Sequence, residues 1–253
     1  MEQRPKTVLI TGATGGLGRA YAEAFAQRGC RLILSGRRPA ALTELAQHLS
    51  SRHAAEATIV PVDLGVPGAA QEILDAVEEP VDVLVNNAGF GLKGEVVGAD
   101  PAEVAEMIQL NCGALVQLAQ GFGARMAAAG RGEIINVAST AAFQPIPTMA
   151  AYAASKAFVL SFSDGLAAEL APAGVQVLAI CPGPTETGFF ERAGDPDAMA
   201  MRRTPEDVVR TTLSALASGR SVAVDGTMNG LMAFANRLAP RSLARAIAQR
   251  YVA

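Results

Sequence analysis

Histidine and cysteine are scarce in this chain of 253 residues, and the scarcity excludes a good deal of chemistry. The histidines are His48 and His53, and the cysteines are Cys30, Cys112 and Cys181. The cysteines lie far apart in apolar sequence, are odd in number, and form no CxxC pair. That usage predicts reduced thiols and a cytoplasmic protein without a disulfide framework. A metal site would have to rest on carboxylates alone, so none is expected. No GxSxG elbow is present and neither histidine is well placed to serve one, which argues against a hydrolase.

An excess of one charge is also missing. The chain carries 21 basic and 24 acidic side chains, a formal charge of −3, with no long block of one sign. Nucleic acid therefore has no electrostatic footprint to meet, whereas an acidic cofactor needs only a local positive site. No stretch reaches the roughly 18 consecutive apolar residues of a spanning helix. The amino terminus enters the short run Thr7-Val8-Leu9-Ile10 and then a glycine loop, which predicts no secretory leader.

What is present is a large apolar fraction, 50% of residues, organised as short Val/Ile/Leu runs that alternate with amphipathic ones. Strands are predicted at Thr7–Ile10, Arg31–Leu34, Thr58–Val62, Val81–Val85, Glu133–Val137, Val175–Ile180 and Ser221–Val224. Near-continuous apolar runs are how parallel strands read when both faces are covered. Helices are predicted at Gly16–Arg28, Ala40–Ser50, Ala69–Val77, Pro101–Ala129, Met149–Leu170 and Pro205–Ala217, with Pro39, Pro67, Pro101 and Pro205 at their starts. The expected fold is α/β: a Rossmann-type doubly wound parallel sheet of about seven strands with helices on both faces. Residues 1–253 are read as one domain, with a lid over the cofactor at 188–204 and a helical extension at 228–253.

The first strand runs into Thr11-Gly12-Ala13-Thr14-Gly15-Gly16-Leu17-Gly18 and then a helix pattern. Gly12 permits a tight turn, Gly16 lets backbone approach a pyrophosphate, and Gly18 allows close helix packing. An anion would then sit at the helix amino terminus, among free amides. A bare strand–helix turn would ask for similar residues, so the loop alone does not decide. No lysine followed by Ser or Thr is present, which argues against a nucleoside-triphosphatase loop. The second strand ends Leu34-Ser35-Gly36-Arg37-Arg38, without the acid that would bind a ribose 2′-hydroxyl. Two guanidinium groups suit a 2′-phosphate, so NADP(H) is expected in preference to NAD(H).

Tyr152 and Lys156 stand four residues apart on a predicted helix and so share one face. An ammonium beside a phenol stabilises phenolate and is expected to lower its pKa, making a usable proton donor and acceptor. Ser139 follows the fifth predicted strand, at the edge where open α/β sheets place ligands. Its alternative reading is a turn serine or helix cap.

With these motifs in order, residues 5–226 resemble the short-chain dehydrogenase/reductase superfamily. The glycine loop, Asp63-Leu64, Asn86-Asn87-Ala88-Gly89, the set Asn111, Ser139, Tyr152 and Lys156, and Pro182-Gly183-Pro184-Thr185-Glu186-Thr187 all match its pattern. The resemblance implies hydride exchange between nicotinamide and a carbonyl or alcohol carbon. Tyr152 would protonate the oxygen, Ser139 would stabilise the oxyanion, and Lys156 would tune the tyrosine and hold a ribose. Asn111 would help hold a water relay to Lys156. Cofactor contacts would come from Gly12, Thr14, Gly16, Leu17, Gly18, Arg37, Arg38, Asp63, Leu64, Asn87, Ala88, Gly89, Pro182, Gly183, Thr185 and Thr187. Two departures stand out: Gly15 occupies a position where many NADP-binding relatives carry Lys or Arg, and Thr185 one that is often Ile or Val. The Asn136–Phe143 stretch and the extended carboxyl terminus are similar to the DltE-like branch, itself close to 3-ketoacyl and hydroxysteroid reductases. The family's dimer-forming helices correspond to Pro101–Ala129 and Met149–Leu170, which implies a homodimer or homotetramer.

Phe143, Met149, Phe189 and Phe190 are candidate substrate-pocket residues, favouring an apolar or aromatic ketone. Arg192, Arg202 and Arg203 read as solvated surface before any anion contact. The tail alternates Leu231, Met232, Phe234, Leu238, Leu243, Ile247 and Tyr251 with Arg237, Arg241, Arg245 and Arg250. That stripe is expected to pack on protein, and membrane contact is not expected. The readings left open are a small-ketone reductase, a 3-ketoacyl or hydroxysteroid reductase, and a catalytically silent NADP-binding sensor or scaffold.

Overall fold

The computed structural model describes residues 5–188 and 203–238. Its sheet has strands β1 (Thr7–Thr11), β2 (Arg31–Gly36), β3 (Ala57–Pro61), β4 (Val83–Asn86), β5 (Gly132–Val137), β6 (Val175–Cys181) and β7 (Val222–Val224). All pair in parallel, in the order β3-β2-β1-β4-β5-β6-β7. The expected doubly wound sheet is therefore present. Its order reverses between β1 and β4, which opens a crevice at the carboxyl ends of those strands.

The two-residue period of the strands sorts their side chains into two layers. Val8 and Ile10 of β1, with Leu32 and Leu34 of β2, face helices α1 (Gly16–Ala26) and α2 (Pro39–His53), meeting Tyr21, Phe25, Leu42, Leu45 and Leu49. Helix α7 (Pro205–Ala217) completes that layer through Val208 and Leu216. Leu9, Ile33 and Leu84 point the other way, onto Ile73 of α3 (Ala69–Ala76) and Leu118, Phe122 and Met126 of α5 (Leu115–Ala129). The Tyr21 hydroxyl, buried between α1 and α7, is satisfied by Thr212 Oγ1 at 2.8 Å.

Pro39, Pro101 and Pro205 each open a helix, where a missing N–H costs nothing. Asp100 caps α4 (Pro101–Ile108), accepting from Ala102 N–H at 2.9 Å, and Thr204 caps α7, accepting from Asp207 N–H at 3.2 Å. Pro67 stands two residues ahead of its helix, which begins after Gly68 in a left-handed conformation.

The helix predicted as continuous over Pro101–Ala129 is interrupted. A π turn at Gln109–Ala114 separates α4 from α5. Such turns concentrate at functional sites, and this one carries Asn111. No described helix is long and apolar enough to cross a membrane. Helix α8 (Thr227–Leu238) forms the start of the predicted carboxyl-terminal extension. Phe189 and Phe190, most of the predicted lid, and the tail beyond Leu238 lie outside the described residues.

Candidate active site

The crevice between β1 and β4 widens into a cleft of about 660 Å³ along the carboxyl edge of the sheet. Gly12 to Gly18 form one wall. Gly12 adopts a left-handed φ of 61°, and a β-carbon there would stand 2.9 Å from Ala88 Cα. Glycine is required on both counts. Gly18 was expected to bring the helix close to the sheet. The close approach is instead to the loop's own first turn, since a β-carbon at Gly18 would lie 2.2 Å from the Gly12 carbonyl.

Thr11 and Asn87 tie the two sides of the crevice together. Thr11 Oγ1 accepts from the backbone N–H groups of Asn87 and Ala88, both at 3.0 Å. Asn87 Nδ2 donates to the carbonyls of Thr11 and Gly12, at 2.9 and 3.2 Å. The clasp role of Thr11 escapes sequence reasoning, because it depends on β1 and β4 being neighbours.

At one end of the cleft stand Arg37, Arg38, Asp63 and Leu64. Arg38 reaches Thr14 Oγ1 at 3.3 Å, and Arg37 lies 3.9 Å from Glu106 of α4. Both arginines border the cleft and keep exposed side chains. Asp63 turns its carboxylate onto the N–H of Gly65 at 3.1 Å.

The other end holds Ser139, Tyr152 and Lys156. Tyr152 and Lys156 lie on α6 (Ala150–Leu170), 8% and 5% exposed, with the ammonium 5.9 Å from the tyrosine ring centroid. Lys156 donates to the Val137 carbonyl at 2.8 Å. Ser139 takes the capping part and stands beside the tyrosine. It caps the short 3-10 turn Thr140–Phe143 by accepting from Ala141 N–H at 3.1 Å, and its hydroxyl is hydrogen-bonded with Tyr152.

The expected electrostatic coupling is not what the protein alone delivers. Burial pushes the Tyr152 phenol up to about 12, against the Ser139 hydrogen bond, which works downward. Burial lowers Lys156 to about 8, opposed by the thiols of Cys112 and Cys181. Desolvation outweighs charge proximity here, since the ammonium is itself penalised by the burial that raises the phenol.

Asn111 is buried within a hydrogen-bonded network. Both of its side-chain N–H donors are used, one to the Phe90 carbonyl at 2.9 Å and one to Ser155 Oγ at 3.1 Å. Its Oδ1 accepts from Phe90 N–H at 3.1 Å. Ser155 donates in turn to the Tyr152 carbonyl at 2.7 Å. The side chain thereby pins the segment after β4 to α6.

Around the tyrosine the walls are apolar: Phe90, Leu110, Ala141, Ile146 and Met149. Met149 lies where it was expected. Phe143 does not line the cleft; the 3-10 turn carries it onto Leu115, Ala138, Val159 and Cys181. Phe90 and Leu110 were missed, because nothing local marks an apolar residue as facing a cavity. Thr148, beside this wall, holds a φ of 65° that a β-branched residue rarely adopts.

Pro182-Gly183-Pro184 and Thr185 to Gly188 close the cleft from β6. Thr187 packs on the glycine loop: a β-carbon at Gly16 would lie 2.8 Å from its methyl. Arg203, read as solvated surface, instead forms a two-pronged ion pair with the fully buried Asp225, at 2.7 and 3.1 Å.

Comparison with known proteins agrees with this geometry. Residues 6–197 match the family model for short chain dehydrogenases. The chain belongs to the short-chain dehydrogenase/reductase family. It is therefore an oxidoreductase of a family that acts on alcohol and carbonyl groups. Among curated relatives, sulfoacetaldehyde reductase 2 of Chromohalobacter salexigens is 39% identical over 79% of this chain and 84% of its own length. Among solved structures, a short-chain dehydrogenase from Sphingobium yanoikuyae in complex with NADPH superposes with a TM-score of 0.84, at 33% identity and 88% coverage of both chains. The bulky-bulky ketone specific alcohol dehydrogenase of Comamonas testosteroni gives 0.80 at 31% identity, over 88% of this chain and 86% of that one. Relatives of the family bind NADP or NAD.

The residues present fit a dinucleotide. Helix α1 begins after Gly15 with no side-chain cap, so its first amides are left for a ligand in the cleft that Gly15 to Gly18 line. The space a side chain at Gly16 would take is kept open.

Proposed function

We propose that this protein is an NADP(H)-dependent reductase of apolar or aromatic ketones. The observation that carries the reading is one cleft with arginines at one end and a Tyr–Ser–Lys group among apolar walls at the other. Arg37 and Arg38, with no acid at the end of β2, favour a 2′-phosphate. NADPH in the Sphingobium structure supports the same choice. The cofactor, when bound, supplies the hydride. Gly12, Thr14, Gly16, Leu17 and Gly18 hold the phosphates; Asp63, Leu64 and Asn87 to Gly89 bound the adenosine; Pro182, Gly183, Thr185 and Thr187 bound the nicotinamide. Tyr152 gives its proton to the carbonyl oxygen, Ser139 donates a hydrogen bond to the growing oxyanion, and Lys156 holds the ribose. A phenol that stays protonated through the neutral range is suited to reduction.

A small anionic aldehyde, as the name of the Chromohalobacter relative implies, is less well matched. Among the described residues that line the tyrosine end, Lys156 is the one cation, and Arg203 is committed to Asp225. The ketone specificity named for the Comamonas relative agrees with the apolar wall. Residues 1–253 then act as one catalytic domain, with 188–204 as its lid and 228–253 as an extension. The half-exposed Phe158, stacked on Phe162 along α6, supports self-association through that helix.

Fluorescence titration with NADPH and NADH, followed by a panel of aliphatic, aromatic, steroid and ketoacyl substrates, tests the reading. Tighter NADPH binding and turnover of bulky apolar ketones are expected. NADH preference would refute the role given to the arginines, and tight binding with no turnover anywhere would favour a silent sensor.

A further inference from the structure

Asp225 follows β7 and is fully buried, yet it carries a dense set of contacts. Its carboxylate accepts from Arg203 Nε at 2.7 Å, Arg203 Nη2 at 3.1 Å and Thr211 Oγ1 at 2.6 Å. Its backbone N–H donates to the Cys181 carbonyl at the end of β6, at 3.1 Å. Its carbonyl accepts from Asn229 Nδ2 of α8 at 2.7 Å. A second partner, Asp207, lies 3.7 Å from Arg203 Nη1.

The other end of this network is the loop that closes the cleft. Arg203 forms a parallel bridge with Thr185. Its N–H donates to the Pro184 carbonyl, and its carbonyl accepts from Glu186 N–H, both at 2.9 Å. Asn229 fills the space behind Gly183, where a β-carbon would lie 2.3 Å from its amide nitrogen. Thr187, two residues beyond the bridge, presses on Gly16 of the glycine loop. A buried carboxylate is thus linked by one arginine to the backbone of the loop facing the reactive end of the cleft.

We infer that Arg203 and Asp225 are positioning residues that set the Pro182–Thr187 loop for the nicotinamide half of the cofactor. The inference rests on the dinucleotide reading above and adds which residues hold its reactive end. Neither residue touches the reacting atoms. They act through Pro184, Thr185 and Glu186, whose backbone they fix. The two-pronged geometry is specific to a guanidinium, so lysine at 203 is a poor substitute.

The adenosine half lies at the far end of the cleft, beside Arg37 and Asp63, and this separation supplies the test. Adenosine 2′,5′-bisphosphate probes that end alone, and NADPH probes both. Removing one partner leaves the other charge buried and unpaired, which risks unfolding. The variants are therefore the charge-neutral pair R203M/D225N, the single R203K, and T211V, which removes one hydrogen bond to Asp225. Thermal melts establish folding.

In R203M/D225N the Kd for NADPH is expected to rise about tenfold and kcat to fall by roughly ten- to a hundredfold, as small misplacements do. The Kd for adenosine 2′,5′-bisphosphate is expected to stay within about twofold of wild type. R203K should move the same way as the double variant, and T211V less. Wild-type kcat and NADPH affinity in R203M/D225N or R203K would overturn the inference, as would equal losses for NADPH and the fragment. Failure of wild type to bind the fragment or NADPH would instead refute the underlying cofactor reading, and the inference with it.

Discussion

Replacing Lys156 by methionine should make the cofactor-free protein more stable at neutral pH while abolishing its activity. Burial lowers the Lys156 pKa from 10.5 to about 8. At about 1.4 kcal/mol per pH unit, that difference is roughly 3 kcal/mol against the folded state when the ammonium is charged. The sign follows from proton binding. Between about pH 8 and 10.5 the unfolded chain holds the lysine proton more tightly than the folded one, so stability rises with pH. Below about 8 the full penalty is present. Methionine has a similar length and no charge, but it strands the Val137 carbonyl that Lys156 bonds at 2.8 Å. Losing that bond costs about 1–2 kcal/mol. A net gain of about 1–2 kcal/mol remains, worth about 2–8 °C in Tm for a chain of this size. Thermal unfolding of both proteins without cofactor, from about pH 7 to about pH 10, should show the gap shrinking as pH rises. A gap that is absent at neutral pH, or that does not narrow on the alkaline side, would refute the claim that desolvation dominates at this lysine. The expected outcome is a stability–activity trade-off located at one side chain.

Tyr152→Phe should lower turnover by about 10²–10⁴-fold, with NADPH titration nearly unchanged, because only the transferred proton is removed; near-wild-type turnover would contradict the assignment. Arg37→Ala should weaken NADPH binding about tenfold or more and leave NADH almost untouched, as loss of a charge-assisted phosphate contact requires; parallel titrations read the difference. Gly18→Ala should cost about 1–3 kcal/mol in denaturant unfolding and also weaken NADPH binding. The added carbon would lie 2.2 Å from the backbone carbonyl of Gly12, which cannot move without opening the loop.

A residue's neighbours along the chain fix some of its properties, and distant segments fix the rest. Tyr152 and Lys156 share a helix face by periodicity alone, and the glycine positions are demanded by turns within the same short loop. Asn111 shows the limit. Its place in the motif order was legible, but the π turn that carries it and the saturation of its amide depend on Phe90 and Ser155, which are distant in sequence. Phe143 is apolar and near the tyrosine in sequence, which suggests a pocket, yet the turn capped by Ser139 packs it, half-buried, on Leu115, Ala138, Val159 and Cys181.

By itself the sequence determined the alternation of strands and helices, the parallel sheet, and the gathering of its motifs at one edge. Each follows from local rules: two-residue and 3.6-residue periodicity, glycine sterics, and the single handedness of strand–helix–strand crossovers. Only the tertiary structure decided the proton affinities of Tyr152 and Lys156, the apolar wall made by Phe90 and Leu110, and the pairing of Arg203 with Asp225. Those properties are set by solvent exclusion and by contacts between distant segments. They exist only once several strands and helices have closed over the same volume, and no window of sequence contains them.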